Sequence, residues 1–264
     1  MALGLNHALL IGTLVRDPDL RYTPAGLAVL RLDLGGDDHL HDEEGALRAR
    51  PWYQRVTVFG AQAERVVDHL RTGTPLWVEG RLERRTYEAD DGSTRATLDL
   101  IGRRVELLGL GARDEDDAFA IDARDQPRLR DAANRVRLIG NLTRDAEVDR
   151  TEQGHARARF SVAVQERPAS ERGPDFVDVQ AWRDRAQACE GLAKGDPVYL
   201  EGRLITDAWT DGDGRRRYAN RIEAQRVERI ERLPRVGDRP PEGAAADPAA
   251  APATDGSATE ATPF

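Results

Sequence analysis

Two pairs of aromatic residues recur in this chain at one spacing. Tyr53 and Phe59 stand six positions apart, and so do Phe176 and Trp182. An arginine followed six positions later by an aromatic ring also occurs twice, as Arg81 with Tyr87 and as Arg203 with Trp209. Aromatic residues make up only 5% of the sequence, so their return at matched places is not a result of abundance. Flat π-faces beside guanidinium groups are the residue types that hold unpaired bases and phosphates. Stacking of that kind contributes roughly 1–3 kcal/mol per base and tolerates any sequence. Arginine suits the phosphates because it can bond bidentately and can also lie on a ring. The ordinary alternative is that strand aromatics fill a core. Tyr87 and Trp209 each end a strand-like run among polar neighbours, which favours the surface. Phe59 and Trp182 fit either place, and Trp52, Trp77 and Tyr199 read as packing or interface residues.

Further cations flank these rings. Arg55, Arg84 and Arg85 accompany Arg81 in the first half, and Arg215, Arg216 and Arg217 accompany Arg203 in the second. The run 215–217 adjoins a Gly-rich turn; the alternative for any charge run is a solvated strand face. Arg16-Asp17 returns as Arg144-Asp145, which fits a structural ion pair as well as a ligand contact. Where the first half has Arg84, the second has Thr206 and then Asp207. The two halves are therefore expected to contact a ligand unequally.

The elements that must carry these residues are themselves repeated. Asn6, Leu10, Ile11, Gly12, Leu14, Arg16 and Asp17 recur 128 positions on as Asn134, Leu138, Ile139, Gly140, Leu142, Arg144 and Asp145. Gly26 and Arg31 match Gly154 and Arg159 at the same offset. Gly73-Thr-Pro-Leu-Trp-Val-Glu-Gly-Arg-Leu82 matches Gly195-Asp-Pro-Val-Tyr-Leu-Glu-Gly-Arg-Leu204 at an offset of 122. The shortening of the second copy is expected in a loop corresponding to 35–50, where length is best tolerated. Strand-like runs are Leu9–Leu14, Leu27–Leu34 and Gln54–Phe59, then the EGRL strand and Thr94–Ile101. In the second copy they are Leu138–Leu142, Ala158–Val164, Phe176–Trp182, the second EGRL strand and Tyr218–Ile222. Gln62–Arg71, with Val66, Val67 and Leu70 at helical spacing, predicts a short helix, and Arg185–Ala193 is its counterpart. Three strands, a helix and two more strands are the order of an OB-fold barrel. The expected class is all-β: two tandem five-stranded OB barrels at 1–112 and 132–233, each with one short helix. Residues 113–131 are acidic and aperiodic and read as a connector. Residues 234–264, rich in Pro, Ala, Gly, Asp and Thr, cannot bury enough apolar surface to offset ordering entropy and read as a disordered tail.

Composition narrows the function classes. The net charge of −8 is unusual for a nucleic-acid binder, but it is unevenly spread. Residues 1–112 hold 14 basic and 17 acidic side chains, 113–131 hold 4 and 7, 132–233 hold 19 and 18, and 234–264 hold 2 and 5. The two barrels are thus near neutral, which permits a local basic groove. No apolar run approaches the roughly 20 residues that span a bilayer. The N-terminus has no basic segment or cleavage site of a signal peptide. Cys189 is the single cysteine, so no internal disulfide or Cys-based zinc site can form, and a cytoplasmic location is expected. There is no Gly-rich phosphate loop, nucleophile elbow or kinase set. His39-Leu-His41-Asp-Glu-Glu44 could be drawn as a metal site but lacks a second ligand cluster. No enzyme, metal or cofactor is expected.

The motifs together resemble the bacterial single-stranded DNA-binding proteins. The resemblance rests on NHALLIGTLVRDPDLRYTPAG from Asn6, WYQRVTVFG at Trp52–Gly60, the helix after it, and GTPLWVEGRLERRTY at Gly73–Tyr87. The second copy (NRVRLIGNLTRD, then FVDVQAWRDRAQACEGLAKGDPVYLEGRLITDAW) is similar more loosely. The resemblance implies that Tyr53, Phe59 and Tyr87 stack on bases, with Phe176, Trp182 and Trp209 as counterparts. It also implies a homodimer presenting four OB folds, a nucleoid-associated location, and roles in replication, recombination and repair. The ending Thr262-Pro263-Phe264 is similar to the tips by which such proteins dock replication and repair partners. Only Asp255 and Glu260 are acidic in the last ten residues, a departure that predicts weaker docking. The alternatives are an OB-fold protein-interaction module, since OB folds also bind proteins, and a specialised paralogue with weak DNA binding.

Overall fold

Side chains from Leu5 to Leu14 alternate between the interior and the surface, as a half-buried strand requires, and this run is strand β1. The computed structural model describes residues 4–41, 45–88, 94–109, 115–166, 173–210, 212, 214 and 216–230. Seventeen elements follow in chain order. β1 (Leu5–Leu14), β2 (Asp19–Tyr22), β3 (Ala28–His41), β4 (Leu47–Phe59), α1 (Ala61–Val67), β5 (Pro75–Glu88) and β6 (Thr94–Leu107) form the first copy. α2 (Glu115–Ala118), β7 (Phe119–Ile121) and β8 (Pro127–Leu129) lie between the copies. β9 (Ala133–Leu142), β10 (Glu147–Arg150), β11 (Ala156–Val164), β12 (Asp175–Trp182), α3 (Asp184–Gln187), β13 (Pro197–Thr210) and β14 (Arg216–Arg229) form the second.

Each copy closes on itself. β1 pairs β3 and β5, β3 pairs β4, β4 runs parallel to β6, and β6 returns to β5. The second ring, β9–β11–β12–β14–β13, repeats this order with one parallel pair between β12 and β14. These are the two expected OB barrels. Inside the first, Leu10, Leu30, Leu32, Leu34, Leu76, Leu82 and Leu100 are fully buried; inside the second, Leu138, Phe160, Leu200 and Leu204 are. Each such side chain contributes roughly 1.5–3 kcal/mol on leaving water.

The repeated EGRL has a structural cause. The strand register shifts between Glu79 and Gly80, and again between Glu201 and Gly202, as a β-bulge. A Cβ at Gly80 would lie 2.1 Å from the carbonyl oxygen of Ile101, and one at Gly202 would lie 2.4 Å from that of Glu223. Only glycine fits so close an approach of two backbones. The leucine two positions on is held from the neighbouring strand. The Asn6 side chain donates to the Leu82 carbonyl at 2.7 Å and accepts from its N–H at 2.8 Å. Asn134 does the same to Leu204 at 2.8 and 2.9 Å. Both asparagines are buried, so both of their bonding groups need partners.

The barrels share one edge. β1 and β9 pair antiparallel with Ala8 opposite Val136, its own counterpart 128 positions on. That register gives the joint an approximate two-fold axis. It makes β6–β5–β1–β9–β13–β14 one continuous sheet. Further bonds cross the joint: Arg135 forks onto buried Asp38 at 2.6 and 3.0 Å, Gln54 Nε2 donates to the Leu204 carbonyl at 2.9 Å, and Asn220 Nδ2 donates to that of Leu98 at 2.8 Å. Residues 4–230 therefore act as one unit.

Three sequence expectations are corrected. Residues 35–41 and 47–50, read as loop, continue strands β3 and β4. The acidic pair Asp37 and Asp38 hid the strand pattern, yet both are buried because Arg128 and Arg135 neutralise them. Those two cations come from far along the chain. The segment read as an aperiodic connector contains α2 and a β-hairpin: β7 pairs β8 in register Phe119↔Leu129, and β8 meets β3 at Leu129 and Gly36. The helices are shorter than expected, ending at Val67 and Gln187. The tail 234–264 lies outside the described residues.

Candidate nucleic-acid interface

Period two puts Tyr53, Arg55, Thr57 and Phe59 on the outer face of β4. Cross-strand register then assembles the rest. One row runs Asp19–Arg31–Thr57–Ile101–Arg81 across β2, β3, β4, β6 and β5. The next row along runs Arg21–Val29–Phe59. Phe59, 36% exposed, lies between two adjoining hollows of about 260 and 350 Å³. Around it stand Arg21, Arg31, Arg81 and Arg85, against the carboxylates Asp19 and Glu83. Tyr22 and Leu27 line the same hollows and are exposed. An exposed ring beside an excess of guanidinium groups offers a base a stacking face and its phosphates a cation.

The sequence reading did not select Arg21, Arg31 or Tyr22 as contacts. The usable signal was Arg31 at a repeat-matched position; Arg21 and Tyr22 are joined to Phe59 only by strand pairing. Arg55 is exposed and bonds Asp33 at 2.8 and 3.4 Å, while Arg16 pairs with the same carboxylate at 2.8 Å. Arg81 is half-buried, paired with Glu83 and 3.7 Å from Asp175. Arg84 points the other way, toward the second copy: its guanidinium lies 5.9 Å from the centre of the Phe176 ring. Phe176 itself is 40% exposed.

The counterpart rows in the second barrel carry different charges. The first reads Glu147–Arg159–Gln180–Glu223–Arg203, with Glu223 where the first barrel has Ile101. Arg203 is only 7% exposed, and its Nε lies 3.3 Å from Glu223. Expected as a groove cation, it is instead buried against that carboxylate. The next row reads Asp149–Arg157–Trp182, with Asp149 in the place of Arg21. Asp149 accepts from Arg157 at 3.0 and 2.8 Å and from Arg159 at 3.1 Å. The Arg157 hydrogen bond, aided by the charges of both arginines, holds the Asp149 carboxyl below the usual aspartate range. Trp182 is half-buried. Asp178 stands where the first barrel has Arg55, and the Arg85–Asp99 pair of the first returns reversed as Asp207–Arg221.

Tyr87 lies on β5 opposite Arg95 and Trp209 on β13 opposite Arg217, while Arg216 begins β14. The side chains of Tyr87, Trp209 and Arg216 are outside the described residues, as are Arg215, Pro263 and Phe264 entirely. Among the described residues no group of three His, Cys, Asp or Glu side chains could hold a metal ion. His39 instead faces Asp131 at 3.3 Å. No helix among the described residues is long and apolar enough to cross a membrane.

Comparison with known proteins shows the family of this fold. The model of the single-strand binding protein family matches residues 5–108 and again 133–230. The single-stranded DNA-binding protein of Thermus aquaticus is 46% identical over 245 residues, 91% of each chain. That of Deinococcus radiodurans is 39% identical over all of this chain and 87% of its own. The crystal structure of the wild-type Thermus aquaticus protein superposes with a TM-score of 0.71 at 40% identity, covering 88% of this chain and 96% of that one.

Proposed function

Because the chain belongs to the single-strand binding protein family, we propose that it binds single-stranded DNA without sequence preference, chiefly in the groove of its first barrel. The observation that carries this reading is the excess of arginine around exposed Phe59, against the carboxylate-neutralised rows of the second barrel. The mechanism is passive: bases stack on aromatic faces, phosphates displace counterions on the arginines, and the strand is shielded from pairing and cleavage. Titration with oligo(dT), read by tryptophan quenching, tests it. Affinity should fall linearly with salt on logarithmic axes. Absence of binding at low salt would overturn the proposal.

We further propose a homodimer with four barrels. It is supported by the outer face of the continuous sheet, where Leu9, Ile11, Trp77 and Ile139 are only half-buried in the single chain. A solution mass of one chain would refute it. Pro263 and Phe264 are proposed to dock replication and repair proteins at the nucleoid; deletion of both should abolish that docking and leave DNA affinity intact. The reading as a protein-interaction module finds its support in the second barrel, where Asp149 and Glu223 engage Arg157, Arg159 and Arg203.

A further inference from the structure

The Tyr53 ring is held from two sides. Beneath it lies Gly35, its partner across β3 and β4. A Cβ on Gly35 would sit 3.1–3.2 Å from the Tyr53 ring carbons, so glycine leaves the ring room to lie across the strand. At the far end, the phenol donates to Asp122 Oδ2 at 2.6 Å and accepts from Arg128 at 3.3 Å. Both residues belong to the hairpin between the barrels. That hairpin is anchored: Arg128 pairs with buried Asp37 at 2.8 Å, Leu129 is buried, and the Ala132 N–H donates to the Asp37 carbonyl at 3.1 Å. Asp122 is held by its own turn, with Oδ1 accepting from the N–H groups of Arg124 at 2.8 Å and Gln126 at 2.9 Å. The ring still leaves 37% of Tyr53 exposed. Its second-barrel counterpart, Phe176, has no hydroxyl and faces Ala163 across the strand.

We propose that the hairpin between the barrels is part of the DNA surface, and that Asp122 is a positioning residue that fixes the Tyr53 ring as a ready-made platform for a base. This rests on the reading of Tyr53 as a DNA contact. A ring already locked in its binding pose loses no rotamer freedom when the base arrives, so it binds more tightly than a free one. The bond is compatible with neutral pH: the Tyr53 hydrogen bond keeps the Asp122 carboxyl below the usual range, while burial and then Asp122 raise the phenol above its own. The opposite role for the hairpin is electrostatic competition, with Asp122 standing where a phosphate would go.

A double-mutant cycle on the full chain, titrated with oligo(dT), separates these. Asp122→Ala should lower affinity about fivefold, and no further loss should appear when it is added to Tyr53→Phe. Asp122→Asn should recover most of the affinity, because its amide keeps the turn and still bridges to the phenol. Tighter binding by Asp122→Asn would overturn positioning in favour of competition. A loss by Asp122→Ala that persists unchanged in the Tyr53→Phe background would also overturn it. Unchanged affinity in Tyr53→Ala would remove the DNA contact itself and sink both readings. Equal melting temperatures across the set exclude unfolding as the cause of any loss.

Discussion

The two barrels are the same scaffold with opposite treatment of charge. Both have the glycine bulge of EGRL, the asparagine clamp on its leucine, and the same ring of five strands. On the face around the ring pair Phe59 and Trp182, however, Arg21, Arg55 and Arg85 of the first barrel are Asp149, Asp178 and Asp207 of the second. Glu223 replaces Ile101 at the centre of a row and pairs with the buried Arg203. A duplicated fold must keep what holds its backbone, since a clash at Gly80 or Gly202 costs the whole barrel. Its surface charges can change sign one at a time for little cost in stability.

The largest effect should fall on what the barrels share. Gly80→Ala and Gly202→Ala each push a Cβ into a backbone carbonyl and should cost about 2–3 kcal/mol, measured by denaturant unfolding. A tolerated alanine in either barrel would show that its bulge is dispensable there. Next comes the asymmetry itself. Phe59→Ala with Arg31→Ala should weaken oligo(dT) binding about 100-fold, far more than Trp182→Ala with Arg159→Ala. Equal losses would erase the difference drawn between the faces.

Exchanging the central residue sharpens the point further. Glu223→Ile should free Arg203 and strengthen binding, and Ile101→Glu should add a further carboxylate beside Arg81, which already pairs with Glu83, and weaken it, each by about tenfold or less. A null result in both would separate Arg203 burial from the carboxylate. Smaller still, Arg21→Asp should reduce the logarithmic salt slope by about 0.7, and Asp149→Arg should increase it. The smallest effect concerns pH. The Asp149 carboxyl titrates lower in the folded protein than in the unfolded chain. Its stabilisation is therefore complete above the unfolded value of about 3.9 and is lost as pH falls through the folded one. Asp149→Asn should melt slightly below the parent at pH 7 and alike in acid; identical melting at both would remove the ion pair from the comparison.

Cys189 follows from burial alone. It is fully enclosed in the second barrel, and desolvation raises its thiol to about 11. It should react with a thiol reagent at neutral pH only when that barrel opens.

The amino-acid order by itself determined the duplication, the strand order, the family and the aromatic pairs. Those are properties of short stretches: period-two alternation, a bulge glycine, a motif read within a dozen residues. It also marked that the copies diverge after EGRL. It misread 35–41, 47–50 and the hairpin between the barrels, because Asp37 and Asp38 look like loop residues until Arg128 and Arg135 are brought onto them from far along the chain. Tertiary structure alone decided which guanidinium groups remain available. Arg81 and Arg203 sit in identical motifs, yet Arg81 pairs with Glu83 on its own strand, whereas Arg203 is buried beside Glu223, some twenty positions on and adjacent only through strand pairing. Coulomb attraction acts through space, so the fate of a charge is written in the register of the sheet.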